Sequence, residues 1–458
     1  MIPLPRNVAR SDGRWHPGAA SPQVSRGAQD AADLAREVLG YVPDLALDGA
    51  GDPEGYRLHV GHDGAELRAA TVAGLQHGIA TLRQLGQDGS VPCVDIDDAP
   101  HLPWRGALLD VARWYFPIDY LRRFVDVLAL HKLNRFHLHL TDDQGWRIEI
   151  TRYPRLTSIG SRRAGSQVGH ARDGVINDVP HGGYYTQDEL RGLVRYAAAR
   201  GVEIVPEIDF PGHTTAAIAA HPELGNGATP DVSRRWGVHT TVLNAQPQTE
   251  QFCKNVLDEV MDVFPSPWVH LGGDECPTDE WVAAPHRAYE LGLDPARLQA
   301  WFTDELVAHV RSRGRTAIVW DEAVHAGLDP DTVAMAWRDA VQGERAGDLG
   351  HRVIMTPQQR TYFDWYQDDG PDEPLAIHGL TTLADVFGFD PGDVLGTQGM
   401  LWTEYLPTPA AVDYMAFPRL AALADIAWSG PGAPDLLDRL RDHQSLLAAL
   451  GVHGRPIP

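Results

Sequence analysis

Eight short apolar runs recur between residues 105 and 401, and amphipathic stretches of helical period separate most of them. The strand-like runs cover 105–111, 135–141, 202–208, 268–272, 316–320, 332–337, 352–355 and 394–401. Helical periodicity reads over 118–133, 187–200, 250–263 and 298–313. Strands that alternate with helices pair in parallel, because each crossover returns the chain to the same end of the sheet. The fold class is therefore α/β, and eight such strands in about 350 residues fit a closed (β/α)8 TIM barrel with long loops. A doubly wound open sheet uses the same alternation. Its usual nucleotide signatures, Gly-x-Gly-x-x-Gly or a P-loop opening a helix, do not occur here.

Residues 1–100 read as a small α/β domain ahead of the barrel, which takes 101–458. Strand-like pieces at 56–60 and 66–70 alternate there with helix-like stretches near 28–39 and 73–85, and Asp95-Ile-Asp-Asp-Ala-Pro100 reads as a connector. No catalytic constellation stands out in this part. The net charge of −23 repels nucleic acid and anionic membranes, so neither is an expected partner. Cys93, Cys253 and Cys276 lie far apart and are odd in number, which implies neither a disulfide framework nor a zinc pair. The first residues lack an apolar signal core and no run of 18 apolar residues occurs. The chain reads as soluble and cytoplasmic, as a monomer or homodimer.

The polar residues fall at the ends of the strand-like runs. One run ends His139-Leu-Thr-Asp-Asp-Gln-Gly-Trp146, another Pro206-Glu-Ile-Asp-Phe-Pro-Gly-His213, and a third His270-Leu-Gly-Gly-Asp-Glu275. Val319-Trp-Asp-Glu322, Met335-Ala-Trp337 and Gly399-Met-Leu-Trp-Thr-Glu404 repeat the pattern. A single acid after a strand is commonly a helix cap. Six acid- or aromatic-rich ends point instead to one barrel mouth, where catalytic residues gather. Carboxylates among tryptophans suit sugar chemistry, since indole faces pack on pyranose C–H faces while acids bind hydroxyls. Asp274 and Glu275 are adjacent, and neighbours on extended backbone point to opposite sides. That geometry suits an acid beside a group that steers a substrate's own nucleophile, rather than two carboxyls flanking a bond. His137 and His139 with Asp142 suggest a metal site, barrel packing or hydrogen bonding behind the site, and no His-Glu-x-x-His motif occurs. No cofactor and no metal are expected.

These motifs resemble those of family 20 β-N-acetylhexosaminidases. The resemblance runs from about Tyr56 to Trp428 and includes Arg105-Gly-Ala-Leu-Leu-Asp-Val-Ala-Arg113, Lys132-Leu-Asn-Arg-Phe-His-Leu-His-Leu-Thr-Asp-Asp-Gln-Gly-Trp146 and Phe417-Pro-Arg-Leu-Ala-Ala422. It implies the same barrel behind a small α/β domain, removing terminal β-linked N-acetylhexosamine from an oligosaccharide or glycoconjugate, with a disaccharide-releasing enzyme or a non-catalytic sugar-binding protein on the same scaffold as the alternatives. It also implies substrate-assisted catalysis, with the 2-acetamido oxygen attacking C1. Glu275 would be the general acid and base, Asp274 the acetamido N–H acceptor, and Tyr362 the donor to the acetamido oxygen. Arg105 resembles the arginine that grips sugar hydroxyls, with Glu404 and Asp364 as partners on hydroxyls. Trp320, Trp337 and Trp402 resemble the aromatic walls. Asp142 and His213 resemble a pair that orients the acid, with Asp209 nearby. Two features depart from the pattern. The stretch Glu373-Pro-Leu-Ala-Ile-His-Gly379 lacks a tryptophan that some members place there, and Cys276 directly follows the acid. The Gly-rich loop 160–183, with His170 and His181, reads as a lid, a subunit contact or an insertion.

Overall fold

The computed structural model describes residues 1–18, 21–86, 89–227 and 229–457. An N-terminal five-stranded sheet is built from β1 (Asn7–Trp15), β2 (Asp44–Leu47), β3 (Tyr56–Val60), β4 (Ala65–Ala69) and β5 (Val91–Asp98), in the order β1-β5-β3-β4-β2. Two helices, α1 (Gln29–Leu39) and α2 (Val72–Leu85), pack on it through an apolar core including Leu45, Leu58, Leu67, Leu75 and Ile79. Thr71 caps α2 by accepting the Ala73 N–H.

Of the run read as a connector at 95–100, residues 95–98 are instead the end of β5, and only Ala99 and Pro100 lie outside it. Its residues alternate, with Val94 and Ile96 buried and Asp95 and Asp97 exposed, so the acids mark the solvent face of a strand rather than a loop.

The barrel consists of β6 (Trp104–Asp110), β7 (Arg135–His139), β8 (Glu203–Glu207), β9 (Trp268–His270), β10 (Thr316–Trp320), β11 (Val333–Ala336), β12 (Val353–Met355) and β13 (Gly396–Leu401). All neighbours are parallel, and β13 pairs with β6 from Gly396↔Trp104 to Leu401↔Leu109. That last pairing closes the ring and rules out the open sheet. Helices α3 (Ile118–Leu130), α4 (Gln187–Ala198), α5 (Pro247–Val263) and α6 (Leu298–Ser312) occupy the expected stretches. Between β10 and β11 a single 3-10 turn, Asp321–Ala323, replaces the crossover helix.

Two buried ion pairs bind the N-terminal sheet to the underside of the barrel. Lys132, after α3, donates to Asp98 at 2.8 Å and to the Tyr56 hydroxyl at 2.9 Å. Arg105, at the start of β6, donates to both Glu54 oxygens at 2.9 and 3.0 Å. Trp428 lies against both cations, 4.4 Å from Lys132 Nζ and 4.9 Å from the Arg105 guanidinium carbon, and its indole N–H donates to Asp98. Burial alone would raise the Asp98 carboxyl, but the Lys132 ammonium outweighs it and holds the group below its ordinary value.

A depressed folded pKa contributes stability above the unfolded carboxyl value of about 3.9, which is lost as pH falls toward the folded value. Asp98→Asn strands a buried Lys132 and is expected to cost about 3 kcal/mol at pH 7. Denaturant melts of wild type and variant check this. The gap should narrow below about pH 4, and a gap independent of pH would remove the ion pair as its cause.

Candidate active site

Every barrel strand delivers functional side chains just past its C-terminal end. Arg113 follows β6, Asp142 and Asp143 follow β7, and Asp209 and His213 follow β8. Asp274 and Glu275 follow β9, and Trp320 closes β10. Trp337 follows β11, Tyr362 and Asp364 follow β12, and Trp402 and Glu404 follow β13. The sequence expectation of one mouth therefore rests on strand direction, which points all eight C-termini the same way.

Asp142 is the hub of the charged groups. It is 2% exposed and meets three cationic partners: Arg113 Nη2 at 2.9 Å, His139 Nε2 at 2.9 Å and His213 Nδ1 at 3.2 Å. Burial would raise its carboxyl, but Arg113 and His213 hold it well below the usual carboxylate range. His213 also approaches Asp143 at 3.3 Å, and its Nε2 lies 3.8 Å from Asp274 and 3.6 Å from Glu275. Burial opposes a charged His213, yet the Asp142 and Asp274 carboxylates push its pKa well above the ordinary value. Asp274 and Asp209 shift the other way from Asp142. Burial and the proximity of Asp209 raise the Asp274 carboxyl well above its usual range, and burial first of all raises Asp209 to about 8.

The turn carrying the acids is locally strained. Gly272, Gly273 and Glu275 have φ of 70°, 92° and 42°, all in the left-handed region. Glycine is required at 272, because a Cβ there would lie 1.8 Å from Asp209 Oδ1. Asp209 accepts the Gly273 N–H at 3.0 Å and so fixes the turn. Glu275 has no such freedom, and its conformation costs on the order of 1–2 kcal/mol, a pattern seen at functional sites.

Four aromatic rings line the other side. Trp337 stacks near Tyr362 with centroids 6.0 Å apart, Tyr362 lies 6.5 Å from Trp402, and Trp402 lies 5.9 Å from Trp320. Several buried polar atoms around this box have no partner in the protein: Asp274 Oδ1, Trp337 Nε1, Asp364 Oδ1 and Asp209 Oδ2. An unpaired buried polar group costs about 1–3 kcal/mol, so a cluster of them marks where a polar ligand completes the bonds.

One assignment is corrected. Arg105 is fully buried at the N-terminal end of β6, and its guanidinium is consumed by Glu54, Leu102 O and Lys132 O. It faces the underside of the barrel and cannot reach the mouth. Arg113, the last residue of the same motif, holds that place: 2.9 Å from Asp142, 3.1 Å from Asp110, 3.8 Å from Glu404 and over the Trp402 ring at 5.2 Å. Strand direction alone distinguishes them, since Arg105 opens the run and Arg113 lies three residues past its end. Sequence reasoning also left out Glu207, whose position inside the barrel carries no surface signature. The loop 160–183 docks beside Arg113 and Glu404. His181 packs on Trp114 at 4.7 Å, Arg163 lies over Trp114 and Trp236 at 4.8 and 5.3 Å, and Ala171 N–H donates to Tyr405. Cys276 is partly buried, and burial pushes its thiol up, away from the reactive thiolate.

Among the described residues three groups bring ligand-type atoms together: His137 with Glu207 and His270, Asp142 with Asp143 and His213, and Asp209 with His213 and Asp274. In the first, the Glu207 oxygens already accept from Trp320 and His139, so an ion would have to displace those bonds.

Comparison with known proteins agrees with this geometry. The model of the catalytic domain of glycosyl hydrolase family 20 matches residues 102–431, and that of the family's domain 2 matches residues 1–99. The chain belongs to glycosyl hydrolase family 20. As a glycoside hydrolase of this family it is 37% identical to a β-hexosaminidase of Porphyromonas gingivalis over 88% of its length, and spans 54% of that relative. It is 36% identical to a β-hexosaminidase of Akkermansia muciniphila, covering 89% of this chain and 85% of the other. A family 20 exo-β-N-acetylglucosaminidase of Vibrio harveyi, solved with N-acetylglucosamine, superposes with a TM-score of 0.88 at 30% identity, over 99% of this chain and 78% of that one. Among the described residues no helix is long and apolar enough to cross a membrane.

Arg113→Ala is expected to lower kcat/KM on an aryl glycoside by roughly 10²-fold or more, because bonds to charged groups carry about 1.5–3 kcal/mol each. Arg105→Lys should lower Tm and leave KM unchanged. Steady-state kinetics and melts on both variants check the pair. A KM rise confined to Arg105→Lys would return that residue to the site.

Proposed function

We propose that the enzyme removes terminal β-linked N-acetylhexosamine from the non-reducing end of oligosaccharides or glycoconjugates, with retention, using the substrate's own acetamido group. The observation that carries this reading is the placement of Asp274 beside Glu275 opposite the Trp320–Trp337–Tyr362–Trp402 box, with Asp274 Oδ1 buried and unpartnered. A 2-acetamido group fits that setting: its methyl suits the aromatic walls, its N–H the Asp274 oxygen, and its carbonyl oxygen a Tyr362 donor.

In the first step the acetamido oxygen attacks C1 as the glycosidic C1–O bond breaks, and Glu275 gives its proton to the departing oxygen. The sugar becomes an oxazolinium ion. Burial and Asp209 favour the protonated form of Asp274, and the positive charge developing beside it favours the carboxylate instead. In the second step water attacks C1 from the face vacated by the leaving group, its proton passes to Glu275, and the C1–acetamido bond opens. Positioned acid–base transfer of this kind contributes about 10²–10⁴-fold. Arg113, Glu404 and Asp364 would bind the ring hydroxyls.

The wall of Trp114, Trp236, Arg163 and His181 beside Arg113 and Glu404 supports release of a single sugar over release of a disaccharide. Trp114 donates to the Glu404 carbonyl oxygen at 3.3 Å, which fixes that wall against the hydroxyl-binding end.

The test is hydrolysis of 4-nitrophenyl N-acetyl-β-glucosaminide beside the plain β-glucoside, with wild type and Glu275→Gln. Cleavage of the acetamido sugar alone is expected. The variant should lose more activity on poor leaving groups than on activated ones, and a chelator should leave wild type unaffected. Equal cleavage of both sugars would refute substrate assistance.

A further inference from the structure

Beneath the site, the barrel interior holds a group of ionisable residues that the reaction above does not use. Glu207, His137, His139 and His270 are 0–1% exposed, on β7, β8 and β9. Barrel interiors are ordinarily filled by branched apolar side chains. A buried ion pair is often no more stabilising than apolar packing of the same volume, so packing alone does not explain these four.

Their hydrogen bonds define their charges. His139 Nδ1 faces Glu207 Oε2 at 2.5 Å and its Nε2 faces Asp142 Oδ2 at 2.9 Å. A ring with a carboxylate at each nitrogen carries both protons and is an imidazolium. His137 Nδ1 accepts from Gln398 at 2.9 Å and burial lowers its pKa to about 4, so that ring is neutral, while His270 Nδ1 lies 3.0 Å from both the Gly272 nitrogen and Glu207 Oε1. Glu207 pairs through Oε2 with the His139 imidazolium, and that oxygen also lies 3.2 Å from His137 Nε2. Its other oxygen accepts the Trp320 indole N–H at 2.9 Å.

We propose that Glu207 and His139 are positioning residues for the reaction: a buried carboxylate–imidazolium pair that ties the tryptophan wall at Trp320 to Asp142, and through Asp142 sets the charge balance of His213 and the acids beside it. The proposal rests on the function proposed above. Glu207 faces His139, His137 Nε2 at 3.2 Å, His270 Nδ1 at 3.0 Å and the Trp320 indole N–H, and Asp209 lies beside His213 and Asp274. His139 meets Glu207, Asp142, the nearby Asp110 and the Trp402 ring at 4.9 Å. Asp142 meets Arg113, His213 and His139, and also accepts the Asp143 N–H at 2.7 Å. His213 meets Asp142, Asp143, Asp274 and Glu275. Burial alone would strip the proton from His139, but Glu207 and Asp142 raise it to about 10.

Glu207→Gln keeps the size of the side chain and an acceptor for Trp320 while deleting the charge. His139 then gives up its second proton near neutral pH, and positive charge is lost next to Asp142. The carboxylate charge that raises Asp209 and Asp274 is lost at the same time, so the charge balance at His213 and the acids changes. Both limbs of the pH–kcat profile are expected to be displaced by about half a unit or more, with kcat down roughly tenfold and KM for the aryl glycoside little changed. Glu207→Asp restores the charge and should return the profile toward wild type while kcat stays low, because the shorter chain cannot reach both partners. A lowered rate with a wild-type profile in Glu207→Gln would leave only a structural role and overturn the proposal, as would equal displacement by Glu207→Asp.

Imidazole ¹⁵N shifts keep the test decisive if the variants fold poorly. The His139 resonance, assigned by its loss in His139→Gln, should report a doubly protonated ring at pH 8 in wild type, and a neutral ring there would overturn the proposal. Failure of the functional reading is separate: it would show as wild type that does not cleave the acetamido glycoside, whatever the state of His139.

Discussion

Asp142 is one buried carboxylate with three cations around it, and the mouth of the barrel is organised by that fact. Arg113, His139 and His213 come from three consecutive strands, and none would be tolerated so deep without a counter-charge. Each bond also fixes a direction. Arg113 is drawn toward Glu404 and the Trp402 face, and His213 toward the acids after β9. The low dielectric that makes such a cluster costly when incomplete also makes it rigid when every member is paired.

The two ends of the barrel use similar chemistry for different purposes. At the underside, Arg105 and Lys132 meet Glu54 and Asp98 around Trp428, and both cations bond within the protein. Those pairs bolt the N-terminal sheet to the barrel. At the mouth, Arg113 and the acids are surrounded by polar atoms that have no protein partner, among them Asp274 Oδ1, Trp337 Nε1 and Asp364 Oδ1. Two arginines eight positions apart, one on β6 and one past its end, therefore stand in opposite settings: one is saturated by its own fold, the other stands where bonds remain to be made.

The acids illustrate how position overrides residue type. Asp142, among cations, is held in its charged form, whereas Asp209 and Asp274, a short distance away and poorer in cations, are pushed toward their neutral forms by burial. The glycine-dependent turn at 272–273 presses the Asp209 carboxylate against the backbone that carries Asp274 and Glu275. Strain, burial and charge thus converge on the two residues assigned to the chemistry.

Much of this was legible in the chain itself. The period of the apolar runs specified eight strands to within a residue or two, because burial on both faces leaves a continuous apolar signature. The polar residues after those runs located the mouth, since parallel strands must deliver their C-termini together. Periodicity did not reveal β5, whose acids mark a solvent face, or the ring closure between β13 and β6, whose partners lie some 290 residues apart. It also did not separate Arg105 from Arg113, mark Glu207, or decide between the readings open for His139. A side chain's role there depends on which end of a strand it occupies and on which charges the fold brings to it from elsewhere in the chain, and only the tertiary structure sets those distances.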